Sequence, residues 1–391
     1  MKIADRVARI QPSLTLAVSA KAAKLRAQGV DVIAFGVGEP DFDTPDNIKE
    51  AAIAALARGV GKYTPVSGTA DLRKAVAEEL NAAHGTKHGA ENVIVSVGAK
   101  HSLFNLFMAL LDDGDEVIIP SPCWVSYPEI VAMAGGTPVI LQTRPEDRYA
   151  FDHAALARLV TPRTRAIMLN SPCNPTGTVY GKETLRAIGR VMAANPNLLA
   201  ITDDIYRRLV YGVEWHSVAK VNPEVADRVI LVDGVSKSYA MTGWRIGFCA
   251  GPKELVKAMD TLQGQSTTNP SAVAQAAALA AITGPQDSVA LMNAEFDRRR
   301  KVMFERLRAI PQVKLVEPEG AFYCFPDFSA YCTGKIKDDV ALAEYLLEKG
   351  RVAVVPGTGF LAPGFARLSY ATSMKLVEEG TARIAQALKE L

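Results

Sequence analysis

Short β-branched runs that alternate with Ala- and Leu-rich helical stretches constrain this chain more than any other feature. They are Val93-Ile94-Val95-Ser96-Val97, Glu116-Val117-Ile118-Ile119, Ala166-Ile167-Met168-Leu169, Leu198-Leu199-Ala200-Ile201 and Val229-Ile230-Leu231-Val232. Apolar runs interleaved with helices predict an α/β fold with a mostly parallel central sheet sandwiched by helices. The residues just after each run are as informative as the run itself: Gly98-Ala99-Lys100, Pro122-Cys123-Trp124, Asn174, Asp203 and Lys237, in that order. Ligands of open α/β sheets bind beyond the carboxyl ends of the strands, so these five groups are expected to converge on one crevice.

A chain of 391 residues exceeds one ordinary core. Residues 12 to 29 read as a helix ending at Gly29, succeeded by the Gly/Pro-rich loop Phe35-Gly36-Val37-Gly38-Glu39-Pro40. From about Ser288 a long helical stretch leads to Gly320-Ala321-Phe322-Tyr323-Cys324-Phe325, to a helix around Val340 to Lys349, and to Val352-Ala353-Val354-Val355-Pro356-Gly357. The expected division is an N-terminal arm with part of a small domain at 1–45, a large domain at 46–287, and a small C-terminal α/β domain at 288–391.

Composition removes several classes of function. A hydrophobic fraction of 49%, a charged fraction of 22% and a net charge of +2 suit a soluble enzyme and give no long-range attraction to nucleic acid. The densest basic stretch, Asp297-Arg298-Arg299-Arg300-Lys301, reads as the solvated face of a helix. Met1-Lys2-Ile3-Ala4-Asp5-Arg6 lacks the apolar core of a signal peptide, and no stretch is long and uncharged enough to span a membrane. Cys123, Cys173, Cys249, Cys324 and Cys332 are odd in number and show no C-x-x-C spacing, which reads as free thiols in a reducing cytoplasm. His84 and His88 stand four apart without an H-E-x-x-H pattern, so no metal is expected.

The chemistry centres on Lys237, a charged residue directly after an apolar strand, in Ser236-Lys237-Ser238-Tyr239 with Arg245 eight positions later. Pyridoxal phosphate, an aldehyde cofactor, needs an amine that holds it as a Schiff base and then shuttles protons, and lysine serves both needs. Asp203 is expected to pair with the pyridine nitrogen and keep it protonated, while Asp204 reads as a cap or surface acid. The phenol of Tyr206 and the amide of Asn174 suit the ring's O3′ oxygen. Gly98, Ala99 and Lys100 open a helix whose N-terminus is an anion site, to which Ser236 adds a hydroxyl and Arg245 a fork for the phosphate. Trp124 is placed to stack on the ring. Arg367, within an apolar strand-like stretch, needs an anionic partner such as a substrate α-carboxylate.

Taken together, these motifs resemble the class I pyridoxal-phosphate-dependent aminotransferases of fold type I, most closely bacterial aspartate aminotransferases. The resemblance runs from Pro12-Ser13 through Gly38-Glu39-Pro40-Asp41-Phe42, Lys62-Tyr63-Thr64-Pro65, Asn174-Pro175-Thr176-Gly177, Ser236-Lys237 and Arg245 to Arg367. It implies Lys237 as the aldimine lysine and Arg367 as the α-carboxylate arginine, assisted by Asn174 and the backbone of Gly38. It also implies that Tyr63 and the Thr268-Asn269-Pro270 segment reach the phosphate of a neighbouring subunit, hence a homodimer with composite sites. Two departures stand out. No arginine lies near Gly264, where one branch of the family carries the partner-subunit arginine that binds a distal carboxylate, and Gly234 replaces a hydroxyl residue. Ser13, Thr15, Lys100 or an arginine on a mobile segment remain as the distal-carboxylate group.

The implied function is transfer of the amino group of L-aspartate to 2-oxoglutarate by a ping-pong aldimine/pyridoxamine mechanism, with amino and 2-oxo acids as the small-molecule partners. The alternative is an aromatic, prephenate or broad-specificity aminotransferase, because the missing arginine relaxes the case for an acidic pocket. More distant readings are a pyridoxal-phosphate-dependent lyase and a non-catalytic sensing module. For the latter, the chain offers no segment for a helix-turn-helix.

Overall fold

The computed structural model describes every residue except Asp5, Arg6, Ala8, Arg9 and Ser13. The first strand, β1 (Ile33–Ala34), belongs to a small outer layer, and the next seven form the central sheet. These are β2 (Val93–Ser96), β3 (Glu116–Ser121), β4 (Thr137–Gln142), β5 (Thr164–Asn170), β6 (Leu199–Asp203), β7 (Val229–Gly234) and β8 (Gly247–Ala250), in the order β2-β8-β7-β6-β5-β3-β4. Neighbours run parallel except at β8, which is antiparallel to both β2 and β7.

Alternation along each strand explains how both faces are buried. Val93, Val95, Ile118, Ile167, Leu169 and Leu231 point to a core shared with helices Ala70–His84, Lys182–Ala194 and Ala272–Thr283. Ile94, Val117, Ile119, Met168, Ile230 and Val232 point to the opposite core, under helices Ala99–Leu110, Ser126–Met133 and Lys253–Gly264. With both faces covered, polar groups can gather only at the strand ends.

A third core joins Ile33 and Phe35 to Met292, Phe296, Phe322, Leu346 and Ile384. It is framed by β9 (Tyr323–Cys324), β10 (Val352–Ala353), β11 (Val355–Pro356), β12 (Ala366–Ser369) and helices Asp287–Arg308, Asp339–Glu348 and Met374–Leu388. Here β1 pairs with β10 in parallel, while β12 lies between β11 and β9, antiparallel to both.

The basic stretch corrects the sequence expectation of a solvated face. Arg299 and Arg300 are both buried within helix Asp287–Arg308. Arg299 pairs with Asp41 at 2.6 Å and Glu295 at 2.8 Å, and Arg300 pairs with Asp297 and with Glu317 at 2.6 Å. Arg299 also lies 5.1 Å over the ring of Phe42, so it ties the helix to the loop after Gly38.

Candidate active site

A crevice of about 340 Å³ opens at the carboxyl end of the central sheet. Thr15, Gly38, Ala99, Lys100, Trp124, Asn174, Asp203, Tyr206, Ser236, Lys237, Arg245 and Arg367 all line it. The register explains part of this convergence: Asn170 at the end of β5 sits level with Asp203 at the end of β6, and Asp203 with Val232 of β7. The turn after β7 then carries Ser236 and Lys237 into the same space.

Lys237 Nζ donates to the Gly38 carbonyl at 2.6 Å. Burial lowers its pKa to about 8, against a smaller opposing pull from Glu39, so the neutral amine is accessible close to neutral pH. Across the crevice, burial raises Asp203 to about 6, while a hydrogen bond from Tyr127 works in the other direction. That bond runs from Tyr127 Oη to Asp203 Oδ2 at 2.7 Å, and Asn170 Nδ2 donates to the Asp203 carbonyl. Asp204 is neither a helix cap nor a surface acid: it is buried, accepts from Thr202 Oγ1 at 2.6 Å, and lies 3.9 Å from His84 Nε2.

One corner of the crevice is electropositive. Gly98 holds φ +86° immediately before helix Ala99–Leu110, whose first amides have no acceptor within the helix. That positive φ favours glycine, and a Cβ on Gly98 would fall 2.5 Å from Arg245 Nη2 and push the tip of the arginine aside. Arg245 donates to the carbonyls of Thr242 and Val97, neither of which neutralises its charge. Lys100 Nζ sits 4.7 Å over the Trp124 ring, and burial, with repulsion from Arg245, lowers its pKa. Gly234 fits the same logic, because a Cβ there would lie 3.0 Å from Gly247 Cα and from the Ile246 carbonyl.

At the other end, Arg367 on β12 is buried, with Nη1 donating to Asn174 Oδ1 at 2.9 Å and Nη2 to the Gly36 carbonyl at 2.8 Å. Its Nε is buried without a partner. A buried guanidinium whose hydrogen-bond partners are neutral is an incomplete arrangement that a carboxylate would complete.

The model of the family "Aminotransferase class I and II" matches residues 30–384. The chain belongs to the class I and II aminotransferases. It is 46% identical to the aspartate aminotransferase of Geobacillus stearothermophilus, over 98% of each chain. It is 47% identical to the aspartate/prephenate aminotransferase of Thermus thermophilus, over 99% of this chain and 98% of that one. Among solved structures, aspartate aminotransferase from Thermus thermophilus with maleate superposes with a TM-score of 0.94 at 46% identity, covering 99% of this chain and 100% of that one.

Three expected residues are absent from the crevice lining of this aminotransferase: Gly98, which sits directly behind it at the start of helix Ala99–Leu110, and two that stand well apart. Tyr63 is 89% exposed and lines a separate surface cleft with Lys62, Asn269 and Ser271, and Thr268, at φ +63°, is also absent from the crevice lining. Ser13 lies outside the described residues. Conversely, the sequence pattern does not single out Tyr127 and Tyr323, both of which line the crevice. Tyr323 sits within an apolar stretch where a tyrosine reads as core, Tyr127 in a mixed Ser-Tyr-Pro-Glu segment with no motif of its own, and only the fold brings each to a polar partner.

Proposed function

We propose that this aminotransferase moves the amino group of L-aspartate to 2-oxoglutarate with pyridoxal 5′-phosphate as cofactor, working as a cytoplasmic homodimer. The convergence of a buried amine, a buried acid, an unneutralised cationic corner and a buried arginine in one crevice carries the reading. When bound, the cofactor supplies an aldehyde to take up the amino group and a ring to withdraw electrons. The residues present fit it. Ala99, Lys100, Ser236 and Arg245 would hold the phosphate, consistent with the positive φ of Gly98 and the partners of Arg245. Asp203 would face the ring nitrogen, Tyr206 and Asn174 the ring oxygen, and Trp124 the ring face.

Lys237 is the base. Nζ with a pKa of about 8 takes the α-proton of the amino acid and later gives a proton back, a role typically worth ~10²–10⁴-fold in rate. Asp203, held by Tyr127, would keep a negative charge facing the cofactor's ring nitrogen. Arg367, fixed by Asn174 and Gly36, grips the α-carboxylate and so orients the reacting carbon. Thr15 is the crevice group available to a distal carboxylate, joined by the Lys100 ammonium where the phosphate takes the Lys100 backbone amide instead.

Aspartate as donor rests on the aspartate aminotransferases among the similar proteins. A second reading, prephenate or aromatic specificity, is favoured by the relatives named aspartate/prephenate aminotransferase and by the absence of an arginine near Gly264. Mixing the cofactor-loaded enzyme with single amino acids while tracking cofactor absorbance separates the two. Fast conversion by aspartate and glutamate, with phenylalanine and tyrosine far slower, is expected. Equal or faster conversion by the aromatics gives the second reading, and no cofactor absorbance at all removes the mechanism.

A further inference from the structure

Tyr323 touches both ends of the crevice. It lies on β9 opposite Ser369 of β12, so Arg367, two residues from Ser369 on the same face, is its diagonal neighbour. The Arg367 guanidinium carbon sits 4.4 Å over the Tyr323 ring, and the Tyr323 hydroxyl lies 2.8 Å from that of Tyr206. Even Gly38 is shaped by it: a Cβ there would fall 2.8 Å from Tyr323 Oη. The phenol is almost fully buried, on a strand of the small sheet that also carries Arg367 and outside the central sheet that supplies Asn170 and Asp203.

We propose that Tyr323 is a positioning residue that couples the two ends of the site: its hydroxyl donates to Tyr206 Oη, and its ring is the platform on which the Arg367 fork lies. The inference rests on the cofactor reading above and extends it. A phenol has one proton. If Tyr206 gives its proton to a ring oxygen, the hydroxyl–hydroxyl contact survives only with Tyr323 as donor, which makes Tyr206 the stronger donor in turn. The ring acts separately, because a cation held over an aromatic face keeps its orientation without the hydroxyl.

The two roles separate in variants of the cofactor-loaded enzyme. Tyr323→Phe keeps the platform and removes the proton. With the ring oxygen less well held, the Lys237 nitrogen keeps its proton to higher pH, and the midpoint of the cofactor's visible absorbance rises by roughly half a pH unit. Binding of maleate, a dicarboxylate with no amino or keto group to react, changes less than about twofold in this variant. In a Tyr206→Phe background the same substitution adds no further shift, because its effect runs through Tyr206. Tyr323→Leu, or Tyr323→Met should the leucine variant not fold, weakens maleate binding about three- to thirtyfold. An unmoved Tyr323→Phe midpoint, an equal shift with and without Tyr206, or unchanged maleate binding without the ring would each overturn the proposal. Wild-type protein that develops no visible absorbance with pyridoxal phosphate would instead overturn the cofactor reading, and this proposal with it.

Discussion

Asp203 shows what a buried charge does to the protein that carries it. In an unfolded chain the carboxyl titrates near 3.8, and burial in the fold raises it to about 6. Below about pH 3 both states hold the proton. As pH rises from there to 6 the unfolded state ionises first, so stability is lost, and above the folded value the loss is complete at roughly 3 kcal/mol. Asp203→Asn removes that charge without changing shape. Unfolding by urea in the absence of cofactor should therefore find the variant within about 0.5 kcal/mol of wild type near pH 4 and more stable at pH 8, by up to about 3 kcal/mol. A variant that is less stable at pH 8 would mean that Tyr127 and Ile205 already compensate the charge. Turnover with cofactor should be lost in the same variant.

The same residue is legible in the sequence because a carboxylate directly after an apolar run has few structural uses, and Lys237 and Arg367 stand out for the same reason. Tyr127 and Tyr323 do not, since a tyrosine outside any motif looks like core until its partner, far away in the chain, is known. Arg299 misleads on similar grounds, because its partner Asp41 lies beyond any local pattern.

At the scale of elements, β8 sets the electropositive corner, the proposed phosphate site, from below. A Cβ on Gly247 would fall 2.1 Å from Ala99 N and 2.5 Å from Gly98 C, both backbone atoms that cannot swing aside. Gly247→Ala must push the first turn of helix Ala99–Leu110 off the strand, at a cost of about 1–3 kcal/mol. Because that turn is part of the proposed phosphate site, cofactor titration of the purified variant should show affinity reduced at least about tenfold. Gly181→Ala, with nothing within 4 Å of the added carbon, is the control: it should lose less than about 1 kcal/mol and leave cofactor affinity unchanged. Normal affinity in Gly247→Ala would detach β8 from the phosphate corner. β8 and β4 are also the central strands that sequence pattern does not reveal. Gly247-Phe248-Cys249-Ala250 has no β-branched residue, and the apolar run of the edge strand Thr137–Gln142 is only Val139-Ile140-Leu141, directly after Pro138, so neither matches the longer runs of the buried strands between them.

At the scale of the whole molecule, the exposure of Tyr63 becomes informative. A tyrosine with 89% of its surface free, close to exposed Ile53 and Leu56 in the chain, is an unusual use of apolar area in a finished surface. In the proposed homodimer it would enter the crevice of the other subunit and complete its phosphate corner, a contribution no single chain can make to itself. Composite sites of this kind have a property that self-contained ones lack. Lys237→Ala inactivates the crevice of the chain that carries it, whereas Tyr63→Ala damages the crevice of the partner. In a mixed dimer one crevice combines Lys237 from the tyrosine variant with Tyr63 from the lysine variant and is intact, while the other has neither. Random re-pairing makes half of all dimers mixed, so two nearly inactive proteins dissociated and reassembled together should recover about a quarter of wild-type activity. Recovery of that size identifies the sites as shared. Activity that stays at the sum of the two separate variants would place each site wholly within one chain and leave Tyr63 without a catalytic partner.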